Sequence, residues 1–176
     1  MADSPEVIEA RERTNDKEYF SKIVLENPTL IEWANEEIRD DKDIMLKAVE
    51  VDGGALEFAS DRLKNDKDVI LKSVSQAGWT CCYASEKLKG DKDVLLAATK
   101  VDGQALYFAS QALRDDKDVV LSAVSQKPII LKYASFKMRD DKDIALAAVG
   151  KAKKKVWEYI SPRLQDDQDL KALIEE

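Results

Sequence analysis

The sequence predicts an all-α fold, an α-solenoid of tandem 25-residue helical hairpins, and three observations carry the prediction. The pair Asp-Lys recurs at Asp16, Asp41, Asp66, Asp91, Asp116 and Asp141 in steps of 25 residues, with a weaker copy at Asp167 after a one-residue insertion. Other columns keep the same step. Trp33, Phe58, Tyr83, Phe108 and Tyr133 are aromatic, Ala34, Ala59, Ala84, Ala109 and Ala134 follow them, and Ile38, Leu63, Leu88, Leu113 and Met138 are apolar. Self-similarity at a fixed period of this length is the signature of a stacked repeat. Finally, glycine and proline are scarce, six and four in 176 residues, which favours helix over an all-β fold.

In chain order, residues 1–15 are expected to form a tail and a capping helix, because Ser4-Pro5 followed by Val7 and Ile8 resembles a degenerate second helix. Residues 16–166 hold about six full copies, starting near 16, 41, 66, 91, 116 and 141. The first helix of each copy starts at its aspartate, whose carboxylate can accept a free first-turn amide. The acidic third residue of Asp-Lys-Asp lies where the helix dipole is positive. In the third copy Val69, Ile70, Leu71 and Val74 form a broad apolar face, which suits a helix with neighbours on two sides.

The column Pro28, Gly53, Gly78, Gly103, Pro128 is read as a turn and not as a packing site. A second helix follows, with Leu56, Ala59 and Leu63 on one face. It closes on Arg39, Lys64, Lys89, Arg114 or Arg139, opposite the negative end of its dipole. The alanine column is expected where successive copies approach closely. Residues 167–176 form a C-terminal capping helix, a half copy ending in Glu175 and Glu176. One such hairpin cannot fold alone, since ordering it costs on the order of 1.5 kcal/mol per residue against a small buried surface. Stacking buries the second face of each inner helix.

Composition narrows the function. Apolar residues make up 44 % and charged residues 36 %, too apolar for a disordered chain. A net charge of -7 argues against non-specific binding to nucleic acid. Histidine is missing, which removes the commonest general base and metal ligand. The two cysteines, Cys81 and Cys82, are adjacent and form no disulfide framework, as expected of a reducing compartment. No run reads as a signal peptide or a transmembrane segment. A soluble protein, cytoplasmic or otherwise intracellular, is expected, although export by a non-classical route would leave the same sequence.

The pattern DKDVVLSAV, then DGQALYFAS, then LRDDKD, resembles the tandem repeats called domain of unknown function 4116. The resemblance runs from about Asp16 to Leu170. It implies helical repeats, and it implies no activity and no catalytic residues. Gly150-Lys151-Ala152-Lys153 replaces the usual turn, so the last hairpin departs from the pattern.

Four features are weighed as sites. The acidic triplets, densest at Asp40, Asp41, Asp43, Asp115, Asp116, Asp118, Asp140, Asp141 and Asp143, could in principle attract calcium. The lysine inside each triplet favours helix capping instead. Two variable columns lie three residues apart on the second helix and so share a face. They place Trp79, Cys82, Tyr107 and Ile129 where the outer copies are polar, and this apolar set is the candidate partner-binding surface. The run Lys151, Lys153, Lys154, Lys155 is the basic cluster of the chain, read as a solvated turn. Cys81 is expected to be a small buried residue, and Trp157 to fill the last core.

The resulting expectation is a scaffold or adaptor that binds a protein partner, without catalysis, cofactor or metal. One alternative is a repeat-based enzyme or ligand-binding module using carboxylates such as Asp116 and Asp118. Another is a binder of acidic surfaces or nucleic acid through residues 151–155.

Overall fold

A computed structural model describes residues 4–175. Residues 1–3 of the expected tail and Glu176 of the expected cap lie outside the described residues. Every regular element among the described residues is helical, and together they form an all-α solenoid of six successive copies. The helix Pro5–Glu12 packs at one end and Gln168–Glu175 at the other.

Each copy opens as the aspartate column predicts. Asp41 lies just before the α-helix Lys42–Val51, and its Oδ1 accepts the N–H groups of Asp43 at 3.0 Å and Ile44 at 3.1 Å. Asp66, Asp91, Asp116 and Asp141 cap Lys67–Gln76, Lys92–Val101, Lys117–Gln126 and Lys142–Ala152 in the same way. These bonds satisfy amides that a helix start leaves unpaired. In the third copy Val69, Ile70 and Val74 are fully buried, and Leu71 packs partly exposed against them. Val24, Val49, Val74, Val124 and Val149 recur at the same step, and Thr99, the polar residue in that column, is also buried, with its hydroxyl shared between Leu96 O and Ser122 Oγ.

The second half of each copy is not the single helix expected. It consists of two pieces. Gly53–Phe58 is a 3₁₀-helix, Ala59 is extended with φ -62° and ψ 152°, and Asp61–Lys64 is one α-turn capped by Ser60. The reason lies in the next residue: Asn35, Ser60, Ser85, Ser110 and Ser135 after the alanines, and Ser161 after Ile160, carry short side-chain acceptors that compete with helix continuation and favour a new start. The break also frees a backbone amide. Ser60 N donates to the Arg39 carbonyl of the preceding copy at 3.3 Å, Ser85 to Lys64 at 2.9 Å, and Ser135 to Arg114 at 2.9 Å. A continuous α-helix would spend those amides internally. Copies therefore meet closely beside the alanine column, through main chain rather than through packed helices.

The glycine column needs a second correction. In the middle copies it is a packing site as well as a turn. A Cβ on Gly78 would lie 2.3 Å from the Ala98 carbonyl oxygen of the next copy. On Gly53 it would lie 2.6 Å from Ser73 O, and on Gly103 2.4 Å from Ala123 O. Among the described glycines none has a positive φ. Space, and not backbone conformation, requires the glycine here.

Repetition of these units gives three rows. The α-helices of successive copies pack on one another, the 3₁₀-helices do likewise, and the single turns follow along an edge. Leu56, Ile70, Leu95, Leu106 and Leu131 are fully buried within the stack. In the last helix Lys171 and Glu175 stand in the columns where the second copy buries Met45 and Val49. Among the described residues no helix is long and apolar enough to cross a membrane.

Candidate functional site

The variable columns fall on the 3₁₀ row. Trp79 and Cys82 lie on Gly78–Tyr83, Tyr107 on Gly103–Phe108 and Ile129 on Pro128–Tyr133, three segments that stack as neighbours. A 3₁₀-helix nearly eclipses residues three apart, so Trp79 and Cys82 share one edge. Trp79 is 42 % exposed and Tyr107 50 % exposed. Cys82 is half-buried, and Ile129 packs partly buried against the core.

The rings do not gather as one cluster. Trp79 meets Tyr83 of its own copy edge-on at 5.9 Å, whereas Tyr107 meets Tyr133 of the next copy at 4.8 Å and Phe108 at 5.0 Å. Such edge-to-face contacts are favourable and hold the rings in fixed orientations. Beside Tyr107 lies a small open cavity of about 180 Å³ lined by Gln104, Tyr107, Phe108, Ile130 and Tyr133. Ile129 does not line it; its buried neighbour Ile130 does. The aromatic column, half-buried throughout, thus supplies part of this surface. Its 25-residue recurrence was the signal, and recurrence alone reads as core.

Variable residues also bind the column. Tyr83 donates its hydroxyl to Glu57 of the preceding copy at 2.9 Å, and Lys132 sits 4.8 Å from the Tyr133 ring centre. Burial, together with the Glu57 carboxylate, pushes the Tyr83 hydroxyl up to about 12.

The acidic triplets cap helices and also do something their spacing does not announce. Lys92 donates to Asp116 and Asp118 of the next copy at 2.8 and 2.7 Å. Lys42 reaches Asp66 and Asp68, Lys67 reaches Asp91 and Asp93, Lys117 reaches Asp141 and Asp143, and Lys142 reaches Asp167 and Asp169. One lysine in each of these five copies therefore clamps two carboxylates of its successor, and in the first copy Lys17 reaches Asp41. Hydrogen bonding to Asp116 and Asp118 raises the Lys92 ammonium above its usual range. Partial burial pushes Asp116 up, yet Lys92 and the amides of Val119 and Asp118 outweigh it and hold the carboxyl below the ordinary value. In the capping aspartates Oδ1 accepts amides and Oδ2 the lysine, so both oxygens are engaged. Among the described residues no group of three or more Cys, Asp or Glu is arranged to hold a metal ion.

Along the single-turn edge a second ladder runs. Ser60 and Arg62 bind Asp40, Ser85 binds Asn65 at 2.7 Å, Ser135 binds Asp115 at 2.5 Å, and Ser161 and Arg163 bind Asp140. Gly90 occupies the corresponding place before Ser110 and offers no side chain. In that copy the α-turn becomes the 3₁₀ turn Leu113–Asp115.

Cys81 is fully buried, and burial pushes its thiol up to about 12, which opposes thiolate chemistry. Burial also raises the Cys82 thiol. In the last copy the insertion lengthens both elements, to eleven residues in Lys142–Ala152 and seven in Lys153–Tyr159. Val156 is the fully buried residue there, and Trp157, expected to fill this core, packs half-buried against it.

A sequence profile for the domain of unknown function (DUF4116) matches residues 16–64, 41–89, 66–114 and 116–165. Each match begins at a capping aspartate and spans two successive copies. No curated protein and no solved structure matches the chain. With the profile tiled over most of its length, on the same columns that cap, clamp and stack the helices, the chain belongs to the DUF4116 family, as a tandem array of its repeats.

Proposed function

We propose that this array is a scaffold for a protein partner, without catalysis of its own, and that Trp79, Cys82, Tyr107 and Ile129 mark the surface used. One observation carries the reading. Two large aromatic side chains on adjacent copies stand 42 % and 50 % exposed, where the first two copies carry Thr29, Glu32, Gly54 and Glu57. Aromatic anchors of this kind dominate the energetics of protein contacts. The edge-to-face partners Tyr83 and Tyr133 restrict both rings before binding, which lowers the entropy lost on association.

The test is the double substitution Trp79→Ala with Tyr107→Ala. Helicity should be retained, and the loss of stability should fall well short of the ~3–5 kcal/mol that truncating a core aromatic costs. Affinity capture from the native cell should lose the proteins that the wild-type chain retains. Unaltered capture by the folded variant would refute the assignment. Unfolding of the variant would show the two rings to be core.

A further inference from the structure

The last copy gathers three lysines without ion-pair partners among the described residues, Lys153, Lys154 and Lys155, on one short 3₁₀-helix. Lys42, Lys67, Lys92, Lys117 and Lys142 are each clamped between two carboxylates. Lys151 donates to the Ser125 carbonyl of the preceding copy. Among the described residues Lys153, Lys154 and Lys155 have no hydrogen-bond acceptor and no carboxylate in ion-pair reach. These four lysines line an open cavity of about 490 Å³, together with Ala152 and Ile174.

The cavity arises from the insertion. In inner copies an extended residue and then Gly or Pro connect the α-helix to the 3₁₀-helix. Here the helix runs through Ala152, and Lys153 makes the turn at φ 46° and ψ -126°. It is the one non-glycine residue with a positive φ among those described, in a region that a side chain makes costly. Strained backbone of this sort persists where surroundings over-determine it, and it concentrates at ligand sites. The strained turn brings three like charges onto one short 3₁₀ segment, where they repel one another until an anion neutralises them.

We propose that this cavity binds an anionic amphiphile, with a phosphate-monoester head held by Lys153, Lys154 and Lys155 and an aliphatic tail lying on Ala152 and Ile174. Lysine ammonium groups suit a phosphate head as mobile point charges. The volume lies within the range of small-molecule sites. A nucleic acid would be repelled by a chain of net charge -7, which favours a small single-headed anion. This site is independent of the aromatic surface.

The experiment is calorimetric titration of the full chain with octyl phosphate kept below micelle formation, beside inorganic phosphate and octyl glucoside. Saturable one-to-one binding of octyl phosphate is expected, with inorganic phosphate at least tenfold weaker because it buries no tail, by an order-of-magnitude reckoning. Lys153→Gln, Lys154→Gln and Lys155→Gln combined should weaken octyl phosphate roughly a hundredfold without lowering the melting temperature, as these side chains are exposed and repel one another. Ile174→Gln should weaken octyl phosphate and leave inorganic phosphate as before. No binding, equal binding by the triple variant, or parity with inorganic phosphate or octyl glucoside would each overturn the proposal.

Discussion

Replacing Gly78 by alanine adds one methyl group at the closest approach between two copies. The new Cβ would lie 2.3 Å from the Ala98 carbonyl oxygen and 2.8 Å from the Asp102 nitrogen, both main-chain atoms of the next copy. Real Cβ atoms essentially never come nearer than 3.0 Å, so the neighbouring helix has to retreat by about 0.7 Å. That movement loosens the packing of Val94, Leu95 and Ala98, all fully buried. Overpacking of this type costs about 1–3 kcal/mol. Loss of glycine entropy in the unfolded chain offsets ~0.4–1 kcal/mol of it. The net expectation is a destabilisation of about 1–2 kcal/mol, read as a fall in Tm of about 3–6 °C by circular dichroism at 222 nm. Gly150→Ala is the matched control. It lies inside Lys142–Ala152 with nothing within 4 Å of the added Cβ, and should stabilise by about 0.5–1 kcal/mol. Pro28 and Pro128 carry a Cβ in the same column, so the clash is specific to the inner copies with glycine. A Gly78→Ala chain melting at or above wild type, with its helicity intact, would refute the close-approach reasoning.

Gly90→Asp should restore the missing rung before Ser110. The residue has φ -98°, and the nearest atom to a new Cβ is 3.4 Å away. A gain of about 1 kcal/mol, seen as a higher urea midpoint, is expected from the added hydrogen bond and lost glycine entropy, and a lower midpoint would count against the edge ladder. Asp116→Ala removes a helix cap and a lysine partner together and should cost about 1–2 kcal/mol. Lys92→Met should cost clearly less, because its bonds are half in solvent; equal losses in parallel urea titrations would mean that the cap is not the main role of the aspartate. For pH, carboxyls such as Asp91 and Asp116 are lowered from 3.8, so their contribution is complete above that value and lost as pH falls through the lowered ones. Lysines such as Lys67 and Lys92 are raised from 10.5, so theirs is complete below 10.5 and lost as pH climbs through the raised values. Tm should therefore be level between about pH 5 and 10 and fall only as pH drops below about 4 or climbs above about 10.5, and a steep change near neutrality would contradict the ladder as the dominant titrating system.

The repeat unit, its helical character and its starting points were legible in the residues because each depends on neighbours within a turn or two. Asp41 caps through amides two and three residues on, and the apolar spacing of Val69, Ile70 and Val74 marks a buried face whatever covers it. The broken second helix was less legible. Leu56, Ala59 and Leu63 keep helical spacing across the break, and the serine column that causes it looks like any polar surface position. At the candidate surface, sequence variation pointed to Trp79 and Tyr107. It did not reveal that each would find a different aromatic partner, because Tyr83 and Tyr133 recur so regularly that they read as core.

The sequence by itself determined a tandem helical array, its copy boundaries and its caps, since these follow from local chemistry repeated every 25 residues. Only the tertiary structure decided how copies meet: one lysine clamping two aspartates 24 and 26 residues away, glycine set against a neighbouring carbonyl, and three lysines around an open cavity. The physical reason is one of range. A cap is satisfied within its own segment, whereas the distance from Gly78 to Ala98 belongs to neither residue and exists only once the α and 3₁₀ rows have stacked.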